Sequence, residues 1–386
     1  MFKNNTKLKN IFLMGFLLSL HLAFTSYINS SFLSISSTEK YVGLIYILGS
    51  LASISALFFV PLMLRKMGGY KFLLWSSGLN ALSLLLLSVL KTPAQVILIF
   101  IFYFTLNNIL IFALDELLEI FSRNSSTGKV RGLYLTVVNL AWVISQFFSG
   151  RTLAEFSFST IYVIAFIIMS IFFLTTLLSL ENLKDPKYDR AFAWQSFKKF
   201  FADKNLARSY GINFLLQFFY TWMVIYTPIY LSAHLGFDWK EIGIIFTTML
   251  LPFVFIQFPL GQYSDKIGER KMLMIGFFIT AITTMALFFI GKNEVWIWAL
   301  ILFCTRVGAA TVEVMSDVHF FRHIDKENDG FVSVYRNAGP AAYVLGPITA
   351  FIVFLLTPSF NFIFLILGAL MFGGVYLAST ISKQDI

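Results

Sequence analysis

Residues 181–208 read ENLKDPKYDRAFAWQSFKKFFADKNLAR, the most polar stretch of the chain. On either side the sequence is dominated by long apolar runs. Six precede it, at 11–33, 41–64, 72–90, 93–114, 132–150 and 158–180. Six follow, at 209–231, 242–260, 272–291, 295–312, 332–356 and 360–380. A helix needs about 20 apolar residues to cross the hydrocarbon of a bilayer. The spacing therefore predicts an all-α integral membrane protein of 12 transmembrane helices in two pseudo-symmetric six-helix bundles. The bundles are expected at 1–182 and 208–386, with a cytoplasmic linker at 183–207. Within the linker, Trp194, Phe197 and Phe201 recur at helical spacing beside Lys198, Lys199 and Lys204. That pattern suits an amphipathic helix on the inner membrane surface, and equally an ordinary tether between two bundles.

Composition agrees. Hydrophobic residues make up 58% of the chain and charged residues 13%, about half the roughly 25% of soluble domains. Mean hydropathy is +0.78. A β-barrel is excluded, because the runs do not alternate and far exceed ~10 residues. The net charge of +9 raises nucleic acid as a partner, but its distribution argues against one. With the N-terminus taken as cytoplasmic, segments on that side hold 22 of the 29 Lys and Arg, and the opposite loops hold 5. Arg306 and Arg336 lie inside helices. This asymmetry follows the positive-inside rule and places both termini in the cytoplasm. The first run, after Lys3, Lys7 and Lys9, is too long for a signal-peptide core and lacks a small-residue cleavage site. Cys304 is the only cysteine and forms no internal disulfide. His21, His234, His319 and His323 show no metal-ligand spacing.

The halves repeat weakly at a shift near 200 residues. Phe16-Leu17-Leu18 matches Phe214-Leu215-Leu216, Gly43-Leu44-Ile45-Tyr46 matches Gly243-Ile244-Ile245-Phe246, and Pro61-Leu62 matches Pro259-Leu260. Asp115 and Glu119 fall near Glu313 and Asp317, and Gly132 and Asn139 match Gly330 and Asn337. Order and shift together point to a parallel repeat, an architecture of secondary transporters.

After the eighth run stands GQYSDKIGERK, residues 261–271. It resembles the loop signature of the major facilitator superfamily: Gly261, the Asp265-Lys266 pair, then Gly268 followed by Arg270 and Lys271. The first-half copy, PLMLRKMGGYK at 61–71, keeps Gly68 and Lys71 but has Arg65 where the Asp would fall. Glu269 replaces a frequent Arg. The resemblance implies that this cluster latches the cytoplasmic side, with Asp317 as a partner. In the first half Arg65 is expected to pair with one of Asp115, Glu116 and Glu119; solvated charges at a helix end are the competing reading.

Ionisable residues deep in membrane helices are costly and usually functional. Arg306 lies about a dozen residues into the tenth run, near the midplane at 1.5 Å per residue. Glu313 lies two turns on along the same face and is the candidate proton carrier. An ion pair of Glu313 with Arg306 or Arg336 that merely holds helices ten and eleven is the competing reading. Asp317 and Arg336 read as gate residues. Polar groups recur on the helices that line the cavity in the family: His21, Tyr27, Asn29, Asn107, Asn108, Asn139, Gln146, Gln217, Tyr220, Trp222, Tyr226, Gln257, Asn337 and Tyr343. Interhelical hydrogen bonding explains any one of them. As a set they describe aromatic walls with sparse polar handles, suited to amphipathic molecules better than to sugars.

The resemblance and these residues imply a secondary active transporter working by alternating access, proton-coupled for export of small amphipathic compounds. The alternative is an uptake permease for a small organic anion or sugar, with Arg306 as counter-charge. No convergent catalytic set is visible, so no enzyme and no cofactor are expected. Expected partners are the lipid bilayer, a small-molecule substrate and protons, with no nucleic acid and the chain a monomer. Abundant Ile, Lys, Asn and Phe associate the chain with an AT-rich bacterial genome, hence a bacterial cytoplasmic membrane.

Overall fold

The computed structural model describes all residues except 1–5, 123–126, 181–192, 258, 261–267, 292, 324–328 and 382–386. The described residues form helices and connections, without a strand. Six long helices come first: α1 (Thr6–Ser36), α2 (Glu39–Met67), α3 (Gly69–Val89), α4 (Pro93–Ser122), α5 (Thr127–Glu155) and α6 (Phe158–Ser179). A short α7 (Ala193–Ala202) follows, then α8 (Lys204–Ile229), which runs on into one π-helical turn at Tyr230–His234. The rest are α9 (Trp239–Phe255), α10 (Glu269–Phe288), α11 (Val295–Arg322), α12 (Asp329–Arg336), α13 (Ala338–Leu356) and α14 (Phe362–Ser379).

Ten segments among the described residues are long and apolar enough to cross a membrane. The chain is a multi-pass membrane protein. The runs expected at 132–150 and 242–260 are not among these ten described segments; 132–150 lies within α5, and in 242–260 the regular helix α9 ends at Phe255, just before a residue outside the described set. Bonds from Ile256 N–H to Pro252 O (2.9 Å) and from Leu260 N–H to Ile256 O (3.0 Å) nevertheless carry the helical path onward. The run expected at 332–356 is divided at Asn337, between α12 and α13. Gly339 and Pro340 follow at once, and Pro340 sits in the first turn of α13, where its missing N–H costs nothing.

Two helix starts show why the loop glycines matter. Gly68 joins α2 to α3 with φ +79°, and Gly268 precedes α10 with φ +85°. Only glycine enters that region freely. The two stand 200 residues apart, each immediately before a helix.

Contacts divide the chain into two compact units: Met1–Asp189 with Asp238–Gly243, and Arg190–Phe237 with Ile244–Ile386. Within the first, α1 packs on α4, α5 and α6, and α3 on α4 and α6. Within the second, α8 packs on α11, α13 and α14, and α10 on α11 and α14. The same five pairings recur, so the sequence repeat is also a packing repeat.

Polarity is inverted relative to a soluble protein. Leu178 and Leu356 are each 80% exposed and Trp75 64%, while His21, Asn80, Gln146 and Arg306 are buried. Lipid accepts the apolar exterior, and several interior polar groups are met by a neighbour on another helix. In the first unit Asn107 of α4 is the hub: its Oδ1 lies 3.2 Å from His21 Nε2 of α1 and accepts from Asn80 Nδ2 of α3 at 2.7 Å. Interhelical bonds of this kind contribute up to about 1.7 kcal/mol each, averaging nearer 0.6. Asn107→Leu is therefore expected to cost roughly 1–2 kcal/mol, read as a lowered unfolding temperature in detergent.

Candidate functional site

α11 carries the deepest charges. Arg306, in mid-helix, is 1% exposed. Its guanidinium carbon stands 5.0 Å from the ring centroid of Phe219 and 5.3 Å from that of Tyr220, both on α8. These are cation–π distances; the two rings give the cation a polarizable wall where lipid offers nothing.

Seven residues on, about 10 Å along the axis, Glu313 is half-buried. Its Oε2 accepts from Tyr220 OH at 3.2 Å and from Gln257 Nε2 at 3.1 Å. Tyr220 thus serves both charged residues, its ring toward Arg306 and its hydroxyl toward Glu313. These two donors are neutral.

Farther along α11, Tyr335 OH donates to Asp317 Oδ1 at 3.1 Å and lies 2.7 Å from Ser316 Oγ. With its one proton on Asp317, Tyr335 takes the serine proton. The Tyr335 ring stacks on Phe320 at 4.0 Å with 4° between planes. Its carbonyl accepts from Asn213 Nδ2 at 3.1 Å, and Asn213 Oδ1 accepts from Gln217 Nε2 at 3.4 Å. A continuous polar chain thus ties α8, α12 and α11 together. Arg336 is exposed at the end of α12, and Asn337 is half-buried at the α12–α13 break.

The remaining candidates lie elsewhere. Trp222 Nε1 donates to Gly346 O at 2.8 Å, and the Tyr226 ring packs on Phe354 and Phe360. In the first unit Asn108 Nδ2 donates to Ser53 Oγ at 3.2 Å and to Phe104 O at 3.0 Å. Gln146 Nε2 donates to Ala23 O at 2.7 Å, and Asn139 is half-buried on α5. Asn107, Gln146 and Trp222 are held in interhelical packing. Arg65 is exposed at the end of α2, and Asp115 is half-buried near the end of α4. The Glu119 side chain, like Gly261, Asp265 and Lys266, lies outside the described residues, and so does the pairing expected for it.

The described part of the loop signature holds an ion cluster that the sequence reading did not find. Glu269, in the first turn of α10, is 6% exposed, and a helix N-terminus favours an anion. Its Oε1 lies 2.6 Å from Arg322 Nη1 and its Oε2 3.0 Å from His319 Nδ1. Arg270 is half-buried and Lys271 exposed beside it. The signal was present: an acid where the resembled pattern has Arg, and His319 and Arg322 one turn apart on one helical face. Breaking a fully buried pair costs about 3–5 kcal/mol. Since Arg322 is 44% exposed, Glu269→Gln is expected to cost about 2 kcal/mol, measurable by thermal unfolding.

Comparison with known proteins bears on the fold. Residues 210–384 match the sequence model of a family described as Major Facilitator Superfamily. Among solved structures, the nucleoside transporter NupG superposes with a TM-score of 0.77 at 12% identity, over 96% of this chain and 98% of that one. A POT family transporter in complex with a thioalcohol-conjugated peptide gives 0.79 at 12% identity, over 98% and 96%. A peptide transporter POT in complex with sulfate gives 0.78 at 10% identity, over 98% and 94%. No curated protein matches in sequence. At these identities the likenesses establish the fold alone.

Proposed function

We propose that the chain is a membrane transporter of the major facilitator type that exchanges protons for small amphipathic compounds by alternating access, exporting them across a bacterial cytoplasmic membrane with both termini inside. Glu313 is the proton carrier and Arg306 its counter-charge on the same helix. The observation that carries this reading is the Glu313 carboxylate, set in a spanning helix and held by the Tyr220 hydroxyl and the Gln257 amide. The aromatic surroundings of Arg306 support flat, partly apolar substrates over sugars.

In proteoliposomes with an imposed pH gradient, a permanently charged fluorescent lipophilic cation is expected to accumulate against its own gradient on the acidic side. Accumulation equal to that of protein-free vesicles would count against export of such compounds. A second reading rests on Arg306 itself: a cation placed this deep can receive the carboxylate of a small organic anion. That reading predicts movement of a fluorescent organic anion instead, lost in Arg306→Gln.

A further inference from the structure

The segment that opens the second unit contains more than a tether. α7 ends at Ala202 and α8, a spanning segment, begins at Lys204. The single residue between them, Asp203, caps α8: its Oδ1 accepts from Asn205 N–H at 2.7 Å and from Leu206 N–H at 3.1 Å. α7 is therefore pinned at the level where the membrane begins.

The faces of α7 are divided. Phe200 is fully buried in a cluster with Leu206 of α8, Phe320 of α11, and Val334 and Tyr335 of α12. Its ring meets Phe331 edge-on at 5.6 Å. At about 100° per residue, Phe197 and Phe201 share another side; they are 36% and 38% exposed, with ring centroids 4.7 Å apart. Lys198 and Lys204 are exposed near them, and Lys199 is exposed on the opposite side of α7.

We propose that this face of α7 binds the anionic phospholipid headgroups of the leaflet at the start of α8, and that Phe200 transmits that binding to the Phe320–Tyr335–Asp317 contacts. Exposed rings flanked by lysines at a membrane boundary are what an interfacial helix presents: the rings enter the acyl boundary and the ammonium groups meet phosphate. Phe200 touches Phe320, which stacks on the Tyr335 ring, whose hydroxyl holds Asp317. Lipid charge thus sets how firmly the ends of α11 and α12 are held together. The inference is independent of the transported substrate.

The test is amide hydrogen exchange on the full chain in nanodiscs of phosphatidylcholine, with and without phosphatidylglycerol. Phosphatidylglycerol is expected to slow exchange several-fold in 193–202 and in 329–337, with α14 unchanged as a folding control. Lys198/Lys204→Gln should erase the difference in both segments. Phe200→Ala should keep it in 193–202 and lose it in 329–337. Equal exchange in the two lipids, or a lipid response that survives the double substitution, overturns the headgroup site. A response at 329–337 that survives Phe200→Ala overturns the coupling.

Discussion

Glu313→Gln is expected to abolish accumulation of a lipophilic cation against its gradient while leaving its equilibration down that gradient. The substitution keeps the shape of the side chain and an acceptor oxygen for Tyr220 or Gln257, so the helix contacts survive. What it removes is the ability to bind and release a proton. A carrier without that step still changes face with or without cargo, but nothing ties the cargo to the proton gradient. Tyr220→Phe makes the useful companion, since it keeps the ring against Arg306 and deletes only the hydroxyl on Glu313. It should shift the pH dependence of transport without uncoupling it. If Glu313→Gln accumulates the cation as well as wild type, the carboxylate is only part of the helix packing.

The second large effect concerns stability. Gly308 of α11 faces Gly276 of α10 across a crossing so close that a Cβ on Gly308 would collide with Thr280 Oγ1 and lie 2.6 Å from Gly276 O. The reciprocal Cβ on Gly276 would lie 3.0 Å from Gly308 O. Small residues at such crossings let backbones approach, and dispersion is what holds helices together in lipid. Gly308 stands two residues from Arg306, so moving α11 outward also displaces the guanidinium from its rings. Gly308→Ala is expected to cost about 1–3 kcal/mol, and Gly308→Val more than that. Cys304, one turn before Gly308 and half-buried, supplies the readout: its maleimide labelling should begin at lower temperature in both variants. Unchanged labelling would mean that the crossing relaxes freely.

The spans, the repeat and the loop glycines were legible in the sequence because each depends on local pattern. Apolar length writes a membrane helix directly, and a glycine between two such runs marks the turn. The break at Asn337 is not written in local pattern, since Gly339 and Pro340 permit a bend or a break and tertiary packing decides. Arg306, Glu313 and Tyr220 were named separately, but that one tyrosine touches both charges depends on the rotation of α8 against α11, which no local pattern encodes. Glu269 was visible as a departure from the resembled signature, yet its partners lie some fifty residues on. Phe200 was not singled out among the linker aromatics, although it is the residue that docks α7.

The measurement that tests the central claim most directly is internal pH during cargo movement. Proteoliposomes holding a pH-sensitive dye, with no initial pH gradient, are mixed with a permanently charged lipophilic cation. Proton-coupled exchange predicts that cation entry drives protons out, raising internal pH in wild type and not in Glu313→Gln. Cation entry with a flat internal pH in wild type would contradict it.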